Sequence, residues 1–287
     1  MVLGRRVLLK HLRRLYWMAR NDPVDDDLRG WSWDHPPMKP RAYLGLGVYE
    51  VASRYCPTRR DIWLRRKQCI KGYPTRQMNT GKIIHGVFDA AVREASKRLL
   101  DGFPGTMIYE ELMWSARRIV EKYTGCGERW AVGLFKTLVL TLIAEAEIDS
   151  AVTGSEAYPL WFTEYRVDGS LLGLSSSLSV DALFGGVIVE VKYGRPMDFH
   201  KLGLAGYALA LESSHEVPYD YGILVYVNGI PGNRPKIGIK PVYISNPLRR
   251  WFLEERDEII DFLLADKEPG RPVSCSRNCP FYEVCNR

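Results

Sequence analysis

Residues 180–192 constrain this chain more than any other stretch: Val180-Asp181-Ala182-Leu183-Phe184-Gly185-Gly186-Val187-Ile188-Val189-Glu190-Val191-Lys192. Two apolar runs meet at a Gly-Gly pair, the composition of a two-residue hairpin turn. The register then follows by counting: Phe184 with Val187, Leu183 with Ile188, Ala182 with Val189, and Asp181 with Glu190. Asp181 and Glu190 are thus placed opposite each other, and Lys192, two residues beyond Glu190, shares their face. Facing carboxylates repel, and a bridging divalent cation removes the conflict. Hard oxygen ligands suit Mg²⁺ or Mn²⁺. A solvated cluster of Asp, Glu and Lys would account for the three charges alone. However, Val187 to Val191 is apolar at nearly every position, which fits a strand covered on both faces.

The rest of the chain reads as helices, then strands with one inserted helix, then a helix. Residues 1–20 mix six basic side chains and no acid (Arg5, Arg6, Lys10, Arg13, Arg14, Arg20) with Leu8, Leu9, Leu12, Leu15 and Trp17 at helical spacing. Residues 43–70 read as partly helical. A long helix is expected from about Gly81 to Leu100, with others over 106–123 and 128–152. The period then changes, and 160–168, 170–184 and 187–193 read as strands. A helix is expected over 198–212, strands over 220–228 and 236–245, and a last helix from Pro247 to Ala265. The fold class expected is mixed α/β (α+β). Its parts are an N-terminal helical and basic region (1–80), a mixed α/β core (81–265) and a cysteine tail (266–287). The longest apolar stretch, Thr137 to Ala146, is half of the roughly 20 residues that a membrane span needs. No membrane association is expected, no secretory signal is recognised, and the expected location is cytoplasmic.

His85 lies in Gly81-Lys82-Ile83-Ile84-His85, early in the 81–100 helix. With a G-x-x-x-H helix, an Asp on a strand (Asp181) and E-x-K on the next (Glu190-Val191-Lys192), the chain resembles the PD-(D/E)xK nucleases of the RecB type. In that group the following helix carries Q-x-x-x-Y. Here Tyr207 stands at the tyrosine and Gly203 replaces the glutamine, with His200, Lys201 and Arg195 as nearby polar substitutes. The resemblance implies a cation held by His85, Asp181, Glu190 and the Val191 carbonyl. Lys192 would orient or deprotonate the attacking water, and Tyr207 would position substrate.

Six cysteines are too few for a disulfide scaffold in a chain of 287 residues, and three of them fall in the last thirteen. Such a cluster in a reducing compartment reads as metal or cluster ligation. Cys275-x3-Cys279-Pro280-x4-Cys285 supplies three thiolates, and Cys56, followed by Pro57 and a basic segment, is the fourth candidate. Thiolates select zinc or iron–sulfur clusters. Together with the RecB-type motifs, this set resembles the CRISPR-associated RecB-like iron–sulfur exonuclease family of the spacer-acquisition module, in its longer type I-A-linked branch. The resemblance implies a 4Fe-4S cluster on Cys56, Cys275, Cys279 and Cys285, with 2Fe-2S or zinc as alternatives.

Residues 58–76 carry seven basic side chains against one acid, with Trp63 and Tyr73 interleaved and Tyr55 just before them. Beside a nuclease site, that pattern suits contact with a DNA backbone. Arg59, Arg60, Arg65, Arg66 and Lys67 are the candidate contacts. The resemblance implies a Mg/Mn-dependent deoxyribonuclease, an exonuclease preferring single-stranded DNA, that trims DNA ends to process spacer precursors in CRISPR adaptation. Its implied partners are the CRISPR integrase and other adaptation proteins. The rival is a non-catalytic DNA-binding subunit of the same complex.

Overall fold

The structure is a computed structural model and describes residues 5–153, 161–230 and 235–285. Among these, the chain runs through α1 (Arg5–Asn21), α2 (Val48–Ala52), α3 (Arg60–Arg66), α4 (Arg76–Leu100), α5 (Gly105–Thr124) and α6 (Arg129–Thr153). It continues through β1 (Trp161–Val167), β2 (Leu178–Phe184), β3 (Val187–Tyr193), α7 (His200–His215), β4 (Tyr221–Asn228), β5 (Lys236–Tyr243), α8 (Asn246–Leu264) and α9 (Tyr282–Cys285). The mixed α and β content agrees with the expected class.

The five strands form one sheet in the order β1-β2-β3-β4-β5. Neighbours are antiparallel except β3 and β4, which are parallel and joined by α7 as a crossover. One face of the sheet packs on α4, α5 and α6 through Ala182, Phe184, Val187, Val189 and Val191. The other packs on α7, α8 and the N-terminal segment through Leu183, Ile188, Leu224 and Tyr226. With helices on both sides, β3 is buried from Val187 to Val191, which is why its sequence is continuously apolar rather than alternating.

The N-terminal segment shares this second core, contributing Leu15, Val24, Leu28, Met38 and Leu46. A buried charge network holds it there. Glu212 of α7 accepts from Arg249 of α8 at 2.7 and 2.8 Å and from Arg29 at 2.9 Å. Glu212 and Arg249 are wholly buried, so removing one partner would strand a buried charge, at a cost of about 3–5 kcal/mol.

Most predicted elements appear within a few residues of their expected bounds. The long helix opens at Arg76, five residues before Gly81, because Thr75 caps it: the Thr75 hydroxyl accepts the Met78 N–H at 3.2 Å. Residues 170–177 correct the expected 170–184 strand. Ser170–Leu172 is a 3₁₀ turn, Gly173 holds a left-handed φ of +71°, and the strand starts only at Leu178. Ser175 also bonds the backbone locally, its hydroxyl accepting the Ser177 N–H at 3.2 Å. Residue 160, expected to open a strand, lies outside the described residues, as do the side chains of Arg5, Arg6 and Leu8. Among the described residues, no helix is long and apolar enough to cross a membrane.

Candidate functional site

Both turn glycines of the β2–β3 hairpin have positive φ, +53° at Gly185 and +80° at Gly186, the pair of angles that fits the right-handed twist of the strands. The ladder pairs Phe184 with Val187, Leu183 with Ile188 and Ala182 with Val189, as counting from the turn predicts. The expected Asp181–Glu190 pair is not part of that ladder. Instead, Asp181 Oδ2 accepts the Val191 N–H at 2.7 Å. Asp181 Oδ1 faces His85 Nδ1 of α4 at 3.1 Å.

Glu190 is 6% exposed. Its Oε1 is ion-paired with Lys192 Nζ, and its Oε2 has no hydrogen-bond partner in the structure. A buried carboxylate oxygen without a partner is costly, and a cation is the natural occupant beside it. The donor chemistry suits a divalent cation: two carboxylates, an imidazole and the adjoining backbone line one pocket, with Glu190 lying outside the 4.8 Å group of ligand atoms that contains His85 and Asp181.

The charges in this pocket tune one another. Burial alone would raise the Asp181 pKa, but the neighbouring His85, Lys192 and Val191 N–H outweigh it and hold the carboxyl below its ordinary range. Burial pushes Glu190 up, partly opposed by Lys192 and reinforced by Asp181. Burial would lower both His85 and Lys192, yet their carboxylate neighbours raise both.

These side chains line one cavity of about 480 Å³, together with Tyr207, His200, Cys56, Cys275 and Cys279. Tyr207 sits among the acids. Burial first, then Glu190, Asp181 and Glu164, hold its hydroxyl well above the ordinary tyrosine range. Gly203 faces Glu190 directly. A Cβ there would lie 2.5 Å from Glu190 Oε2 and 2.7 Å from Oε1, so the carboxylate occupies the space that a side chain at 203 would need. Of the polar substitutes named from the sequence, His200 reaches the cavity, between the hydroxyls of Tyr55 at 3.0 Å and Tyr226 at 3.1 Å. Arg195 is exposed, and Lys201 pairs with Asp198 at 3.7 Å.

The cysteines gather in part. Cys279 lies against the Cys275 thiol and within electrostatic reach of Cys56. Burial first, opposed by the Phe281 N–H, and then these two thiols push Cys279 up to about 11. Cys285 is buried in the core that contains Phe281. The tail is docked by the Tyr73 N–H, which donates to Pro280 O at 2.9 Å, and by Arg65 over the Phe281 ring at 5.7 Å.

The basic run needs correction at Arg59. Expected on a DNA surface, it is 5% exposed. Its guanidinium donates to the carbonyls of Val51 and Ser53 and pairs with Glu255. Arg60 pairs with Glu268, Arg66 with Glu50, and Lys67 with Asp266 at 2.9 Å. The run is basic in sequence, but acids elsewhere pair with five of its seven basic residues in the fold, including Arg65 with Glu50 at 3.5 Å. Arg65 is the member that lines the cavity.

Sequence reasoning leaves out Glu164. Its carboxylate, His85 and Asp181 offer ligand atoms all within 4.8 Å of one another. The available signal is a lone acid within Trp161-Phe162-Thr163-Glu164-Tyr165, on the strand that precedes the hairpin.

The site is an acid-lined cavity on a mixed five-stranded sheet flanked by helices, in an α/β protein. A family model described as CRISPR-associated exonuclease Csa1 matches residues 1–287. The chain is 34% identical over 292 aligned residues to the CRISPR-associated exonuclease Csa1 of Saccharolobus solfataricus, covering 96% of each chain. It is 32% identical over 266 residues to that of Thermoproteus tenax, covering 91% of each. The chain belongs to the CRISPR-associated exonuclease Csa1 family, and this membership supports a CRISPR-linked nuclease.

Proposed function

We propose that this chain is a Mg²⁺- or Mn²⁺-dependent exodeoxyribonuclease that trims single-stranded DNA ends during CRISPR adaptation, alongside the integrase. The observation that carries the reading is the unpartnered, buried Glu190 Oε2 beside Lys192 and Asp181 in an open cavity. His85, Asp181, Glu190 and the Val191 carbonyl would hold the cation. When bound, the cation polarises a phosphoryl oxygen and lowers the pKa of its water. Lys192, held by Glu190, orients that water and offsets the charge that develops on the phosphate. Tyr207 positions the strand. The exposed rings of Tyr49 and Tyr55 at the same cavity offer stacking surfaces to unpaired bases, and Arg65 offers a phosphate contact. These features support a single strand as substrate.

We assign the three cavity-lining thiols, together with Cys285, which is buried in the adjoining core, to a structural 4Fe-4S cluster. Nothing among the tail residues resembles a phosphate-cleaving group, so its task is to join residue 56 to the C-terminal tail. The reading is tested by comparing end-labelled single-stranded and duplex DNA as substrates with Mn²⁺, and by iron analysis of anaerobically purified protein. Faster loss of the single strand and about four irons per chain are expected. Equal rates on duplex would overturn the strand preference, and stoichiometric zinc without visible absorption would overturn the cluster.

A further inference from the structure

The strand alternation reverses at Glu164. Before it, Trp161 stacks on Phe184 at 4.5 Å and the Thr163 hydroxyl donates to Asp89 of α4, both on the face covered by α4–α6. After it, Tyr165 turns to the opposite face, where its hydroxyl meets His215 of α7 at 3.1 Å. β2 reverses at the same level: Ala182 and Phe184 belong to the core under α4–α6, while Leu178 and Val180 belong to the core under α7 and α8. The register pairs Thr163 with Ala182 and Tyr165 with Val180, so Glu164 and Asp181 stand opposite each other where both strands turn over.

Glu164 adopts φ +48° there, a left-handed conformation that side chains with a Cβ avoid. Ser179 Oγ donates to Glu164 Oε2 at 2.7 Å and fixes the carboxylate. The result is two carboxylates and the His85 imidazole with ligand atoms within 4.8 Å of one another. Glu190 lies outside that group but lines the cavity it shares with Asp181 and His85, and its buried Oε2 has no partner among the described residues. That orphan oxygen is an independent sign that the pocket is built for a cation.

We infer that Glu164 is a further ligand of the divalent cation, reaching it from β1 opposite Asp181, so that the ion draws ligands from three adjacent strands and from α4. The inference rests on the proposal above that Asp181 and Glu190 bind a cation. A mixed oxygen and imidazole set of this kind suits Mn²⁺ or Mg²⁺.

The test titrates Mn²⁺ into the purified full chain by calorimetry and records the visible absorption of Co²⁺ in the same site. Glu164→Gln should weaken Mn²⁺ at least about tenfold and shift the Co²⁺ band. Glu164→Gly removes the ligand and the left-handed strain together, so weak Mn²⁺ binding should accompany a metal-free Tm at or above that of the unmodified chain. Weaker Mn²⁺ with an unshifted Co²⁺ band would reduce Glu164 to a nearby charge and overturn the assignment. So would a metal-free Tm lowered in both variants. Unchanged Mn²⁺ affinity in Glu164→Gln, with Glu190→Gln weakened, would also overturn it while the cation site stands. An unmodified chain that binds no Mn²⁺ would sink the cation site itself.

Discussion

The β2–β3 hairpin and the cysteine tail line the same cavity but are held there by opposite means. The hairpin belongs to a sheet covered on both faces, and β3 is buried from Val187 to Val191. Its carboxylates are fixed by contacts to His85, the Val191 N–H and Lys192. The tail is mostly exposed loop, anchored by Phe281, which is 1% exposed, by a backbone bond from Tyr73, and by α3 side chains, Arg60 to Glu268 and the Pro269 carbonyl and Arg65 over the Phe281 ring. A packed sheet gives the geometry that chemistry needs. A loop-borne thiol set suits a staple, whose worth is the closure of a long chain segment. Substitutions in the two regions should therefore fail differently.

The largest effect is expected in the hairpin. Asp181→Ala and Glu190→Ala should each reduce nuclease turnover by about a thousandfold or more while circular dichroism remains that of the folded chain. Lys192→Ala should lose comparable activity and some stability, because it leaves the buried Glu190 carboxylate unpaired. Variants that turn over DNA at the unmodified rate would break the comparison on its catalytic side.

Cys279→Ala should do the reverse. The protein should lose its visible colour and about 5–10 °C of Tm, as a few kcal/mol implies for a chain of this size. Its residual turnover per folded molecule should stay within about tenfold, because no cysteine touches the reacting atoms in this account. Scanning calorimetry with activity normalised to folded protein checks both halves. A colourless variant of unchanged Tm would remove the staple from the account.

Gly203→Ala sharpens the comparison inside the hairpin's own neighbourhood. The added methyl would sit 2.5 Å from Glu190 Oε2, so the carboxylate must move. Turnover should fall about 10–100-fold, the scale of an ångström-sized misplacement, and Mn²⁺ should bind more weakly. Full activity in this variant would show that the close approach of α7 to Glu190 is incidental.

The smallest effect concerns pH. Burial first, then Lys192 and Lys240, lower His200 to about 4 from 6.5. The Met197 N–H donates to His200 Nδ1 at 3.4 Å, which leaves the proton on Nε2, toward Tyr55. The unfolded chain takes up a second imidazole proton near pH 6.5 and the folded chain only near 4. The contribution of His200 is therefore complete above 6.5 and lost as pH falls from 6.5 toward 4. His200→Gln should flatten the stability profile in that window by up to one proton. Identical denaturation profiles for the two proteins between pH 6.5 and 4 would contradict the burial argument.

These expectations track how much the chain reveals on its own. The hairpin was legible because a two-residue turn fixes register by counting, and because Val187 to Val191 declares burial on both faces. His85 was legible only through a spaced motif, since α4 and β2 meet across 96 residues. Glu164 was not legible, because the reversal that aims it arises from packing on both faces of the sheet. Arg59 misled for a similar reason. Its partner Glu255 is 196 residues away, and composition alone cannot tell a neutralised arginine from a free one. The 170–184 strand was overextended because alternation continued through Gly173, where a left-handed turn interrupts the backbone.

The Asp181–Glu190–Lys192 pocket is proposed to cut DNA with the help of a divalent cation. The most direct measurement follows 5′- and 3′-labelled single-stranded DNA with the purified full chain, with Mn²⁺, with Mn²⁺ plus chelator, and with Glu190→Gln. The account predicts progressive shortening from an end with Mn²⁺, arrest by chelator, and an intact strand with Glu190→Gln. An unmodified chain that binds the strand yet leaves it intact at every Mn²⁺ concentration would contradict it, as would shortening that persists in chelator.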